Sequence, residues 1–251
     1  MKLTLFFNSI SLFTCCFFMS MGMYAQSVSV STAIKFEKWE AGTVVDESEV
    51  QAYGIDKCFQ SEVINSATIN RMWNKSYKEG CPIGRERLRY LKVLHRNADG
   101  KTQLGELVCN VNIADKLLRI FRKLYDAGYK IEKMCLIDDF DADDERSMAA
   151  NNTSCFNYRV VSGTKTVSKH GYGLAIDLNP RYNPYVHTLN GVRMVEPANG
   201  KDYAFNRSKR KDIPYKIDTN DLAYKLFIAE GFSWGGNWRT MKDYQHFDYR
   251  R

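Results

Sequence analysis

Apolar residues recur along this chain at intervals that change from segment to segment, and those intervals predict its elements. Between Ile64 and Tyr77 the apolar positions are Ile64, Ala67, Ile69, Met72, Trp73 and Tyr77. That spacing predicts a short amphipathic helix, closed by Gly80-Cys81-Pro82. Leu88, Tyr90, Lys92 and Leu94, with the interleaved Leu91 and Val93, predict a strand from about Arg87 to Arg96. Asn97-Ala98-Asp99-Gly100 is a turn, and Gln103 to Val111 returns as a second strand of a hairpin. A helix capped by Asn112 follows, with Ile113, Leu117, Ile120, Phe121, Leu124 and Tyr125 on one stripe and Gly128 at its end. Ile131 to Ile137 predicts a third strand, running into the acidic loop 138–145.

From Tyr172 to Leu178 the period falls to two. Gly173, Ala175 and Asp177 share one face of the predicted strand, and Leu174, Ile176 and Leu178 share the other. Residues 181–218 predict a long, loop-rich excursion, basic at Arg207, Lys209, Arg210 and Lys211. Asp221 to Glu230 is a helix ended by Gly231, and a last strand runs through His246. Strands and helices do not alternate strictly. The fold class is therefore α+β, a small, mainly antiparallel sheet with flanking helices.

The N-terminus follows another pattern. Lys2 precedes an apolar run from Leu3 to Met23, then Tyr24-Ala25-Gln26. This predicts a secretory signal peptide over residues 1–25, cleaved after Ala25. The alternatives are a lipoprotein signal at Leu12-Phe13-Thr14-Cys15 and an uncleaved membrane anchor. Residues 26–85 are then a lead-in with a short helix, packed on the core of a domain over 86–251. With 251 residues, 44% hydrophobic and 26% charged, the chain is long enough for one sizeable core. Export to a periplasmic or cell-envelope location implies an oxidising compartment. Cys58, Cys81, Cys109, Cys135 and Cys155 would remain after cleavage, an odd number whose pairing the sequence leaves open. The absence of a CxxC pair disfavours a cysteine-bound structural zinc. A formal charge of +7 suits attraction to anionic envelope polymers, or simply solubility. An exported chain with no recognisable binding motif points away from nucleic acid, and nothing indicates an obligate protein partner.

The candidate chemistry lies in two segments. Ser168-Lys169-His170-Gly171-Tyr172-Gly173-Leu174-Ala175-Ile176-Asp177 sets a histidine and an aspartate seven residues apart, and Asp243-Tyr244-Gln245-His246-Phe247 adds a second pair. Two imidazoles and one carboxylate suit a catalytic zinc with one position open for water. A straight strand rises about 3.3 Å per residue, which would hold His170 and Asp177 too far apart for one ion. The glycines at 171 and 173 must let the chain fold His170 back. Asp243 could face the same cavity as His246 and act as a base on the attacking water. Competing readings are weaker. Asp139, Asp141 and Asp143 begin like a calcium loop, but the EF-hand glycine and final glutamate are missing. Ser168 or Ser233 could serve a Ser-His-Asp site, but no GxSxG elbow exists. His95 and His187 read as structural.

Ser168-x-His170-x-x-Gly173-x-Ala175-x-Asp177, then Trp234-Gly235-Gly236 and Asp243-x-x-His246, together resemble the M15 family of zinc D-alanyl-D-alanine peptidases, and most closely its L-alanyl-D-glutamate endopeptidase branch. The resemblance spans roughly residues 85–251. It implies a single Zn²⁺ held by His170, Asp177 and His246, with Asp243 as general base. It also implies an arginine that steadies the carbonyl: Arg146 in Glu145-Arg146-Ser147 is the first choice and Arg159 the second. Ser168 and Trp234 would line the substrate site. The implied fold is the Hedgehog/DD-peptidase type and the implied substrate is peptidoglycan or its peptide fragments. A non-catalytic, zinc-containing cell-envelope binding module of the same fold is the alternative.

Overall fold

The computed structural model describes residues 34–161 and 164–250. The predicted leader and its cleavage site lie outside them. Among the described residues, no helix is long and apolar enough to cross a membrane.

The chain first builds α1 (Glu47–Tyr53), β1 (Gln60–Val63) and α2 (Ser66–Met72), then β2 (Leu88–Arg96) and β3 (Thr102–Asn110). These strands form an antiparallel sheet in the order β1-β2-β3. Helix α3 (Val111–Asp126) starts directly from the end of β3. Asn110 is its cap, accepting from the Asn112 backbone N–H, so the predicted cap at Asn112 sits inside the first turn. Gly128 follows the helix with φ +67°, the left-handed position that ends many helices. The apolar stripe read from the sequence is buried: Ile113, Leu117, Ile120, Phe121, Leu124 and Tyr125 all lie in the interior.

The strand predicted over Ile131–Ile137 does not form. The segment runs beside the hairpin and touches it through single bonds, Ile131 N–H to the Arg96 carbonyl and Glu106 N–H to the Met134 carbonyl. Other backbone donors are taken by side chains. Glu132 N–H donates to Asn179 Oδ1 and Cys135 N–H to Asn152 Oδ1. Amide side chains thus meet the hydrogen-bonding need that a ladder would otherwise meet. A 3₁₀ turn over Ile137–Phe140 follows, and the acidic stretch then begins helix α4 (Asp144–Ala149), capped by Asp143.

The second half holds two further small sheets, where the sequence predicted a single one. Strand β4 (Ala175–Asp177) pairs with β9 (His246–Tyr249), which pairs with β7 (Phe232–Trp234). The excursion over 181–218 is not all loop: β5 (Tyr185–Leu189) and β6 (Val192–Glu196) form a hairpin, and β8 (Lys242–Asp243) adds to β5 in the order β6-β5-β8. Asn190 and Gly191 turn the hairpin with φ +50° and +79°, the paired left-handed conformation of a type I′ turn. Every ladder between named strands is antiparallel, and with helix α5 (Leu222–Ala229) the whole is α+β. One core joins the halves. Leu91, Leu107, Phe121, Ile176, Phe227 and Phe247 belong to it, and the Phe227 and Phe247 rings stack at 4.3 Å. The five described cysteines are free; Cys58, Cys109 and Cys155 are buried, and burial pushes the Cys58 thiol up to about 12.

Candidate active site

The β4–β9 register makes the first half of the site. Asp177 stands directly opposite His246, and opposed residues of an antiparallel pair project to the same face. The short strand is necessary to this geometry. Ile176 and Leu178, on the other face, are fully buried in the core and anchor β4 against it.

His170 arrives by the fold-back that the glycines permit. Residues His170–Tyr172 form one 3₁₀ turn, and Gly173 closes it in the left-handed region at φ +64°. The predicted strand over Tyr172–Leu178 is therefore shortened to Ala175–Asp177. A Cβ on Gly173 would sit 2.7 Å from the Asn110 backbone nitrogen. Position 173 thus needs glycine both for its φ and for the close approach of β3. On the other side of β4, Ser154 bridges to Asp177, and the neighbouring Cys155 carbonyl accepts a 2.6 Å hydrogen bond from His170 Nδ1. A carbonyl only accepts, so this nitrogen carries the proton and Nε2 keeps its lone pair for a cation.

His170 Nε2 lies 3.2 Å from His246 Nδ1 and 3.2 Å from Asp177 Oδ2, and His246 Nδ1 lies 3.0 Å from Asp177 Oδ1. All three residues are buried, and their ligand atoms lie within 4.8 Å of one another. Nitrogen lone pairs so close repel unless a proton or a cation stands between them. Burial pushes the Asp177 carboxyl up, but the charges and hydrogen bonds of His170 and His246 outweigh it and hold it well below the ordinary range. Burial works against a charged His246 in turn, and Asp177 still raises it. The donor set, two imidazoles and one carboxylate, is that of a zinc site with an open position.

Asp243 is the fourth group. Its Oδ1 is buried without a hydrogen-bond partner, and burial raises its carboxyl to about 7, against the pull of nearby His246. An unpartnered buried oxygen with that proton affinity suits general-base work near neutral pH. Gly235 makes its position possible. A Cβ there would lie 2.6 Å from the Asp243 carbonyl oxygen, 2.8 Å from Asp243 Cβ and 3.3 Å from His246 Cβ.

The other predicted residues are placed as follows. Ser168 is buried and its Oγ accepts from His170 N–H at 3.3 Å, so it braces the turn. Trp234 is buried in the core with its indole N–H donating to the Tyr244 carbonyl. The tryptophan beside the ligands is Trp238, whose ring centre is 5.4 Å from that of His246. Arg146 is exposed and paired with Asp141 at 2.8 Å. Arg159 pairs with Asp144, and its positive charge weakly favours the ionised form of Asp243, whereas Arg146 points outward. His95 is buried, with Nδ1 donating to the Ile131 carbonyl; His187 pairs with Glu196. The role of the Cys155 carbonyl had no sequence signal. The roles of Gly235 and Trp238 had one, the Trp234-Gly235-Gly236-Asn237-Trp238 run.

Three converging donor groups beside a half-buried carboxylate with one unpartnered oxygen, on an α+β scaffold, form an arrangement that can serve hydrolysis. Residues 162–249 match the family model described as D-alanyl-D-alanine carboxypeptidase. That match supports an M15-family peptidase and contains His170, Asp177, Asp243 and His246. No curated protein and no solved structure matches the chain.

Proposed function

We propose that the protein is an exported, zinc-dependent peptidase that hydrolyses amide bonds in the stem peptides of peptidoglycan, as a DD-carboxypeptidase or an L-Ala-D-Glu endopeptidase. The observation that carries the reading is the convergence of His170 Nε2, His246 Nδ1 and the Asp177 carboxylate on one point, beside a carboxylate with a free oxygen. Zinc held there would polarise a carbonyl and lower the pKa of a water. Asp243 takes the proton of the attacking water and delivers it to the leaving amine nitrogen. Arg159, rather than the outward-facing Arg146, is the better candidate to balance negative charge developing on the carbonyl oxygen. A purely structural zinc would need no such base, which disfavours the non-catalytic binding module.

The test is digestion of purified peptidoglycan by the protein from residue 26 onward, with and without a chelator, and mass spectrometry of the products. Metal-dependent release of D-alanine or cleavage within the stem is the expected result. His170→Ala should lose both bound zinc and activity. Asp243→Asn should keep zinc and lose about 10²–10⁴-fold in kcat, the usual scale of general-base catalysis. Full activity in the His170 variant would sink the metallopeptidase reading.

A further inference from the structure

Asp243 belongs to a sheet that continues well past the ligands. In the order β6-β5-β8, Tyr185 stands opposite Asp243 on one side and opposite Glu196 on the other. Directly opposed residues share a face, so the carboxylate that faces the metal ligands, the Tyr185 ring and the Glu196 carboxylate stand abreast. The next rows on that face are His187 with Met194 and Leu189 with Val192. The Tyr185 and His187 rings stack nearly parallel, 4.6 Å apart at 10°. Met194, Leu189 and Val192 are exposed. His187 Nε2 lies 3.0 Å from Glu196 Oε1, and only the imidazole can donate there. The Glu196 side chain is 44% exposed, so its carboxylate stays accessible to a second partner.

Resting on the peptidase reading above, we propose that the β5–β6 hairpin is a wall of the substrate cleft, and that it selects a peptide bearing a side-chain ammonium group beside the scissile bond. The side chain's methylenes lie along the Tyr185–His187 stack, and the ammonium meets Glu196. The span suits this occupant. Two strand spacings, about 10 Å, separate Glu196 from Asp243. One residue of extended chain covers about 3.5 Å, and a lysine-length side chain reaches about 6 Å further. A carboxylate at the end of an aromatic and aliphatic ledge matches a cation on an alkyl stem. An acidic or neutral side chain gains nothing there. The hairpin's opposite face, which carries Thr188 and Arg193, is not continuous with Asp243.

The experiment compares two synthetic peptides that differ only in whether one diamino residue's side-chain amine is free or acetylated. The zinc-loaded full chain should cleave the free-amine peptide with about tenfold higher kcat/KM, the worth of one hydrogen bond to a charged group. Glu196→Gln should bring that ratio to about one, and Thr188→Ala, on the far face, should keep it. Calorimetric binding of both peptides is measured in parallel. If neither peptide is cleaved but the free amine binds more tightly and Glu196→Gln abolishes the difference, the subsite stands and the peptidase reading fails. Equal handling of the two peptides by the wild-type chain, in cleavage and in binding, overturns the subsite. So does a preference that survives in Glu196→Gln.

Discussion

Asp243 is held in tension by its surroundings. Burial makes its charge costly, and the neighbouring Asp177 charge adds to that cost. The folded-state pKa is raised from 3.8 to about 7. A carboxyl raised in this way stabilises the fold in its protonated form. The contribution is full below the unfolded value and is lost as pH rises through about 7. In the metal-free protein, Asp243→Asn should therefore melt above the parent at pH 8, by about 2–4 °C for each 1 kcal/mol relieved in a chain of this size. The gap should close toward pH 4, where the parent carboxyl is protonated as well. A scanning-calorimetry series across pH checks this, and a variant that melts below its parent at pH 8 would mean that the charge is compensated. In the proposed reaction the same side chain that removes stability would supply the base, a trade common at active sites. Gly235 is the complementary case, since it does its work by lacking a side chain. Gly235→Ala forces Asp243 and His246 outward; displacement near 1 Å costs roughly 10²-fold in rate. The expected variant is folded by circular dichroism, binds zinc more weakly and cleaves about 10²-fold more slowly.

The elements that position the site are short, and each depends on a neighbour. Strand β4 has three residues and is held by β9 on one edge and the Ser154 bridge on the other. The turn before it depends on Gly173. Gly173→Ala should cost about 2 kcal/mol or more, from left-handed strain and the contact with the Asn110 nitrogen. The loss should appear in chemical denaturation and, because the turn carries His170, as weaker zinc binding as well. This element was legible in the sequence because its demand was geometric: His170 and Asp177 could meet only if the glycines folded the chain. Helix α3 was legible for another reason, its unbroken apolar stripe. The segment 131–137 misled because it ends in an apolar run, Met134 to Ile137, that reads as a strand, while backbone donors within it go to the side chains of Asn152 and Asn179, partners no local pattern reveals. The β5–β6 hairpin did carry a signal, Asn190-Gly191 between two alternating runs, outweighed by the basic loop residues that follow. The arginine was the least legible part. Arg146 fitted a local motif, whereas Arg159 gains its influence on Asp243 only through tertiary proximity.

At the scale of the molecule, the lead-in and the site-bearing half share their interior. Phe36, Trp39, Val45, Val50 and Cys58 pack with Leu94, Leu104 and Tyr125, and Ile64 and Met72 pack with Leu88, Val108 and Phe156. Trp39 donates its indole N–H to the Gly105 carbonyl, and β1 covers the outer edge of β2. Arg71 on α2 grips the fully buried Glu106 with two hydrogen bonds, 2.7 and 2.9 Å, while Tyr90 donates a third at 2.6 Å. Removing residues 1–85 would strip the cation from Glu106, a loss of about 1–3 kcal/mol for a buried charged acceptor deprived of a partner. It would also expose a face formed by several large side chains, at about 1.5–3 kcal/mol each. Together these match or exceed the net stability of about 5–15 kcal/mol that a domain normally holds. A chain of residues 86–251, although it retains all four residues of the proposed site, should therefore show no cooperative thermal transition and no zinc-dependent cleavage, whereas one starting at residue 34 should show both. Calorimetry of the two chains decides it: a cooperative melt of 86–251 within a few degrees of the longer chain would show that the N-terminal elements are an appendage, whereas its absence would make them part of the scaffold that holds β3 against Gly173, and so His170 against Asp177.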